Sequence, residues 1–273
     1  MFGFTAIQAW FDQLLAEQNL SHAYLFTGQA MIGKCTFALA LAERLGGPDK
    51  LILQTGAGAV KTIGIAEVRQ LKNFLALTPW PGRQRVAVID EAERLTEEAQ
   101  NALLKILEEP SPAALLILVT AHPGALLSTI LSRCQTIIFP TPSPAIIQQV
   151  LAKSDFTTAQ KTWLASFVNG RVGLLQRLMA NQALPSIKTT LTELADLSQA
   201  NLVQRFAFAE KMSDDENSVA LREKVFYWLL YARTQLTKPR FVRLTQGLLE
   251  LNRVIGQSQY NTRLALENFL INI

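Results

Sequence analysis

Along the first half of the chain, apolar and polar positions keep two alternating rhythms. Short, almost unbroken apolar runs occur at Ala23-Tyr-Leu-Phe-Thr, Leu51-Ile-Leu-Gln, Arg85-Val-Ala-Val-Ile-Asp, Leu115-Leu-Ile-Leu-Val-Thr and Gln135-Thr-Ile-Ile-Phe. Stretches with apolar residues three to four positions apart separate them. A continuous apolar run suits a strand covered on both faces, so the pattern predicts a parallel sheet with helices packed on either side. Between the third and fourth runs, Thr96 is placed to cap a helix whose first turn carries Glu97 and Glu98 against the positive end of its dipole. Ala99, Ala102, Leu103, Ile106 and Leu107 follow at helical spacing, and Pro110 ends the element.

Pro140-Thr-Pro-Ser-Pro marks a stiff, extended connection, and the strand signal stops there. Residues 145–151, 158–168 and 173–179 read as three short helices. From Pro185 onward longer amphipathic stretches run to Ile273, with an apolar segment at Val225-Phe-Tyr-Trp-Leu-Leu-Tyr. The expected division is an α/β nucleotide-binding-type domain over 1–140, a small helical domain over 141–181 and a second, larger one over 182–273.

Composition narrows the function classes. With 49% hydrophobic and 18% charged residues over 273 positions, the chain is too apolar for intrinsic disorder and long enough for two or three domains. No apolar run approaches the length of a membrane span, and the start, Met1-Phe-Gly-Phe-Thr, has no leader pattern, so no membrane partner is expected. Two cysteines, Cys35 and Cys134, cannot make a four-ligand zinc site, and two histidines argue against His-rich metal catalysis. A reducing, cytoplasmic setting is expected. The net charge of +4 is uneven: residues 1–140 sum to −1 and the remainder to +5. The basic half is open to weak nucleic-acid contact or to the plainer reading of a solvated helical surface.

Gly28-Gln-Ala-Met-Ile-Gly-Lys-Cys35 lies between a predicted strand and a predicted helix, the setting of a phosphate-binding loop. Gly28 and Gly33 let backbone N–H groups turn toward phosphate oxygens, and Lys34 is placed for the outer phosphates. Cys35 departs from the pattern, because Mg²⁺ there needs a hydroxyl oxygen and a neutral thiol is a soft, poor ligand. Thr36 carries a hydroxyl but points about 100° further round a helix. Asp90 and Glu91 end an apolar strand, where ligands sit in open α/β folds. Asp90 is placed to orient Mg²⁺ and Glu91 to polarise water, the alternative being an acidic start to a solvated helix. Thr120, ending the next strand, is a candidate γ-phosphate sensor or simply satisfies the backbone. The cofactor expectation is weak ATP or ADP binding at most, with Mg²⁺ only alongside nucleotide, and no zinc.

The stretch His22-Ala-Tyr-Leu-Phe-Thr-Gly28, the run Asp90-Glu-Ala-Glu-Arg-Leu-Thr-Glu-Glu-Ala-Gln-Asn-Ala-Leu-Leu-Lys-Ile-Leu-Glu-Glu-Pro110 and the triplet Ser132-Arg-Cys134 resemble bacterial clamp-loader subunits of the AAA+ class. The likeness is at motif level in the first half and architectural beyond Pro144. It implies an AAA+ domain, a helical lid and a helical collar that joins subunits into a ring. It also implies that Arg133 is an arginine finger, acting in trans on a neighbour's ATP. A guanidinium is permanently charged and stabilises charge developing on γ-phosphoryl oxygens. Hydrolysing relatives carry a lid arginine in a Gly-x-x-Arg turn. Here Gly170-Arg-Val-Gly173 puts Gly173 in that place, with Arg171 available only if the register slips. The four-cysteine zinc module of many relatives has no counterpart in residues 46–56.

The expected partners are the other clamp-loader subunits, including an ATP-hydrolysing neighbour and a clamp-opening subunit, the sliding clamp, and primed DNA through the assembly. Lys72, Arg83, Arg94 and Lys105 are candidate DNA-facing cations or an ordinary helix surface. Two other readings stay open: a self-sufficient ATPase motor or switch using Lys34, Asp90 and Glu91, and a scaffold in which loop and Arg133 are both structural.

Overall fold

The computed structural model describes residues 3–54, 62–213, 218–255 and 260–273. The first two residues of the chain and the last two of the 46–56 stretch lie outside them. Contacts group the chain into two compact units, Met1–Lys153 with Gly170–Leu174, and Ser154–Asn169 with Leu175–Ile273.

The first unit is a five-stranded parallel sheet in the order β2-β3-β4-β1-β5. Its strands are β1 (Ala23–Thr27), β2 (Lys50–Leu53), β3 (Arg85–Ile89), β4 (Ala114–Thr120) and β5 (Gln135–Ile138). All five fall within a residue or two of the apolar runs. Side chains alternate across the pleat. Leu25, Ala87, Ile89, Leu116 and Leu118 therefore enter one core with α3 (Ile65–Ala76) and α4 (Glu97–Glu108), which contribute Leu71 and Leu103. Tyr24, Phe26, Val86, Val88, Ile117 and Val119 enter the opposite core with α1 (Thr5–Ala16) and α2 (Lys34–Leu45), through Phe11, Phe37 and Leu41. Burial on both faces is why these strands read as continuous rather than alternating.

Thr96 caps α4 as expected, its Oγ1 accepting from Ala99 N at 3.2 Å. The short α5 (Ser128–Leu131) leads through the 132–134 triplet into β5, and α6 (Pro144–Ala152) starts at the last proline of the linker.

The second unit is helical, with α7 (Thr158–Val168), most of α8 (Val172–Ala180), α9 (Leu184–Gln199), α10 (Leu202–Ser213), α11 (Ser218–Thr234), α12 (Pro239–Val254) and α13 (Thr262–Ile271). Thr157 and Gln160 cap the start of α7 reciprocally. The apolar segment noted at 225–231 lies in α11, where Trp228 is fully buried and its Nε1 donates to Thr190 O at 2.8 Å. Trp228 packs there with Val225, Leu248, Leu266 and Phe269. Among the described residues no helix is long and apolar enough to cross a membrane.

Candidate functional site

Because the strands are parallel, the first unit has two chemically different ends. At the carboxyl end of β1 the chain turns through Gly28, at φ 140°, and enters α2 at Gly33, at φ 108°. L side chains rarely adopt these angles. A Cβ on Gly28 would also stand 2.5 Å from Phe139 O, so the turn is closed around a neighbouring backbone.

Lys34 is only 5% exposed, and its Nζ donates to Gly28 O and Gln29 O, each at 2.7 Å. Its ammonium is turned back onto the carbonyls of its own loop. Burial lowers its pKa, and the negative charges of Glu93 and Asp90 oppose that shift. Cys35 follows on the same turn, with Gln54 Nε2 donating to its Sγ at 3.4 Å and Asp90 bonded to its thiol. Burial first, and the Asp90 carboxylate second, push the thiol up to about 12. It therefore stays protonated at neutral pH. Thr36 is exposed on α2, without a side-chain hydrogen bond among the described residues.

Asp90 thus stands next to Cys35, as the strand-end reading requires, and its Oδ1 also accepts from Glu91 N at 3.0 Å. Glu91 sits at φ 51° at the start of a tight turn over Ala92–Arg94, where Arg94 grips its carboxylate at 3.0 and 3.3 Å. Thr120 is buried. Its Oγ1 donates to Glu93 Oε2 at 2.7 Å and accepts from His122 N at 2.9 Å. Glu93, Arg94 and Gln54 were not singled out for this site from the sequence. Glu93 carried one signal, its place three residues beyond Asp90 on the same turn.

The 170–174 segment lies against this loop. Gly173 N donates to Met31 O at 2.8 Å, and a Cβ on Gly173 would stand 2.8 Å from that oxygen. With the Gln29 amide turned so that its oxygen faces Arg171, it accepts from both guanidinium Nη atoms at 2.7 and 2.8 Å.

Structure and expectation meet in the placement of Gly28, Gly33, Lys34, Cys35, Asp90, Glu91 and Thr120 at one end of the sheet. They do not add up to a site for a magnesium nucleotide. The residue at the Mg²⁺-ligand position is a protonated thiol shared with Asp90, and Mg²⁺ takes hard oxygen ligands. Lys34 is bonded to main-chain oxygens, Glu91 to Arg94 and Thr120 to Glu93. Among the described residues no group of three or more His, Cys, Asp or Glu side chains could hold a metal ion.

The amino end of the sheet is arranged differently. Arg133 lies two residues before β5, whose Gln135 is level with Tyr24 of β1. Gly28 lies four positions beyond Tyr24, so at about 3.3 Å per residue the start of β5 and the loop after β1 stand about 13 Å apart along the strands, with Arg133 in the turn that precedes β5. Arg133 Nη2 pairs with Glu108 Oε1 at 2.9 Å, and Nη1 donates to Thr129 O at 3.0 Å. The side chain keeps 37% of its surface exposed. Cys134 beside it is buried, and burial alone pushes its thiol up to about 12.

Comparison with known proteins bears on this arrangement. Residues 47–143 match the family described as "DNA polymerase III, delta subunit". The chain is 31% identical to DNA polymerase III subunit delta' of Bacillus subtilis over 177 residues, which is 57% of this chain and 53% of that protein. It is 34% identical to the corresponding subunit of Pseudomonas aeruginosa over 170 residues, 54% of this chain and 52% of that one. The chain thus spans about half the length of these relatives. A DNA polymerase III gamma subunit-related protein of Thermotoga maritima superposes with a TM-score of 0.61 at 19% identity, covering 95% of this chain and 97% of that one. That likeness shows the fold, a parallel α/β domain followed by helices.

Proposed function

We propose that this chain, whose α/β half is related to the delta' subunits of DNA polymerase III, is a clamp-loader subunit. In this reading it works as a fixed neighbour that lends Arg133 to ATP held by another subunit. The observation that carries the proposal is the placement of Arg133. It is at the opposite end of the sheet from the loop after β1, partly exposed, and tied among the described residues by an exposed ion pair and one carbonyl. A cation anchored in the turn before β5, at the far end of the strands from its own pocket, does its chemistry in a second molecule or none.

The step follows from the side chain. The Glu108 pair is exposed on both sides, and such pairs contribute about 0–1 kcal/mol, so exchanging it for phosphoryl oxygens costs little. The guanidinium fork then stabilises charge that develops on the γ-phosphoryl group in the transition state. Its own pocket, with Lys34 turned inward and a thiol at the metal position, supports the companion proposal that this subunit hydrolyses ATP weakly or not at all. The working division is the nucleotide-type domain to about residue 140, the lid to 181 and a collar that joins subunits. The proposed partners are an ATP-hydrolysing subunit, a clamp-opening subunit, the sliding clamp and, through the assembly, primed DNA in the cytoplasm.

Arg133→Ala in a reconstituted loader tests this. DNA-stimulated ATP turnover at the served site is expected to fall about a thousandfold, with assembly intact. Unchanged turnover would remove the trans role. The competing reading, a self-sufficient ATPase, rests on the grouping of Lys34 with Asp90. Robust Mg²⁺-dependent hydrolysis by the purified chain, abolished by Lys34→Ala, would establish it instead.

A further inference from the structure

In the helical unit, α9 buries one face in the core through Ile187, Leu194 and Leu197. It turns a second face to a groove of about 1110 Å³. On that face Lys188, Leu191, Ala195 and Ser198 recur three to four positions apart, so they form one continuous row. From Leu184 to Gln199 the α9 wall spans 15 steps of 1.5 Å, about 22 Å. The other walls are α7 and the first turns of α12. The floor is apolar, made by Trp163, Tyr231, Phe241 and Leu244 with Leu191.

The charged side chains of this groove have one sign. Lys188, Arg240 and Arg243 line it, and no Asp or Glu does. All three are exposed, and none pairs with a carboxylate among the described residues. The Arg240 guanidinium lies over the Phe241 ring, 4.9 Å from its centroid. The Ile273 carbonyl at the groove's end accepts from Arg205 Nη1 at 3.4 Å.

We propose that this groove is a docking site for an acidic amphipathic helix of a partner protein. The walls are helices and offer no sheet edge, so an occupant must satisfy its own backbone hydrogen bonds before it meets an apolar floor, and a helix does this. The length of the α9 wall matches about four helical turns, or about 15 residues. The occupant's apolar stripe covers the floor, and acidic residues on its flanks meet the three unneutralised cations. The cations set charge specificity and the rate of encounter, and the aromatic floor supplies most of the affinity. This inference uses only the helical unit and stands or falls apart from the role given to Arg133.

The test uses the full chain and a fluorescein-labelled peptide of about 16 residues, with Leu at alternating three- and four-residue spacing and Glu on both flanks. Fluorescence anisotropy should give saturable micromolar binding that weakens as salt is raised. Lys188→Glu with Arg243→Glu should weaken binding at least tenfold, and the double variant should then bind the same peptide with Lys in place of Glu. Both positions are exposed, so this variant leaves the core untouched. Binding unaffected by the charge reversal, or no recovery with the lysine peptide, would overturn the proposal. It would equally be overturned if sodium oleate bound the groove and the peptide did not, which would mark a site for a lipid-like amphiphile. Dimerisation of the chain by sedimentation, abolished by Leu191→Glu and with no peptide binding, would instead identify a second copy as the occupant.

Discussion

The two ends of the sheet carry the same kinds of group in opposite states. At the carboxyl end Lys34 and Thr120 are buried and bonded, to loop carbonyls and to Glu93, and Asp90 is bonded to Cys35, while Glu91 keeps a partly exposed pair with Arg94. At the amino end Arg133 is held by one exposed carboxylate and one carbonyl. Buried polar groups that have found partners are expensive to release, whereas exposed pairs exchange readily with solvent or ligand. The difference teaches that residue types alone do not make a nucleotide site. Groups available for chemistry are those whose present partners are cheap to leave.

The sharpest way to break this contrast is to alter the exchangeable end. Arg133→Lys keeps the charge but loses the planar fork, so turnover in a reconstituted loader should still fall at least ~10-fold. The variant chain should melt within about 1 °C of the parent. Wild-type turnover would make the amino end as inert as the carboxyl end.

Next in size is the closed loop. Gly28→Ala places a side chain at φ 140° with its Cβ 2.5 Å from Phe139 O. Urea unfolding should show a loss of at least ~2 kcal/mol. A loss below about 0.5 kcal/mol would mean that the loop relaxes freely and that its closure carries no weight.

The two thiols give a pH signature. Each is pushed up to about 12 in the folded chain, against 9.0 as the ordinary value. Between these values the unfolded chain has lost protons that the folded chain retains, so stability falls as pH rises. The slope is at most ~1.4 kcal/mol per pH unit for each thiol. Denaturation of the reduced protein at pH 8, 9 and 10 should show it, and Cys134→Ala should remove that residue's share. A stability flat over this range in the parent would contradict the burial of both thiols.

The smallest effect is expected from Glu108→Gln. It removes an exposed pair and should change stability by no more than ~1 kcal/mol by urea titration. A larger loss would show Arg133 to be structurally anchored and would narrow the contrast between the ends.

Much of this arrangement was legible beforehand. Five apolar runs became five strands because double-sided burial removes polar positions from the pattern, and Thr96 became a cap because its hydroxyl was followed by a helical stripe. The glycine spacing marks the tight loop between β1 and α2. The bonding around it was not legible, because Thr120 with Glu93, Cys35 with Gln54 and Arg171 with Gln29 join positions far apart in the chain. Spacing carries no information about such pairs. The mid-chain helices read correctly as helices, but the groove between α7, α9 and α12 was invisible. It depends on how three separate stripes face one another.

A parallel sheet makes a subunit polar in the sense that a battery is polar. Where protomers are stacked head to tail, each one's amino end meets its neighbour's carboxyl end, and the row either closes into a ring or stops. If Arg133 has the role proposed for it, a protomer that donates at one pole and binds no nucleotide at the other fits the terminus of such a row.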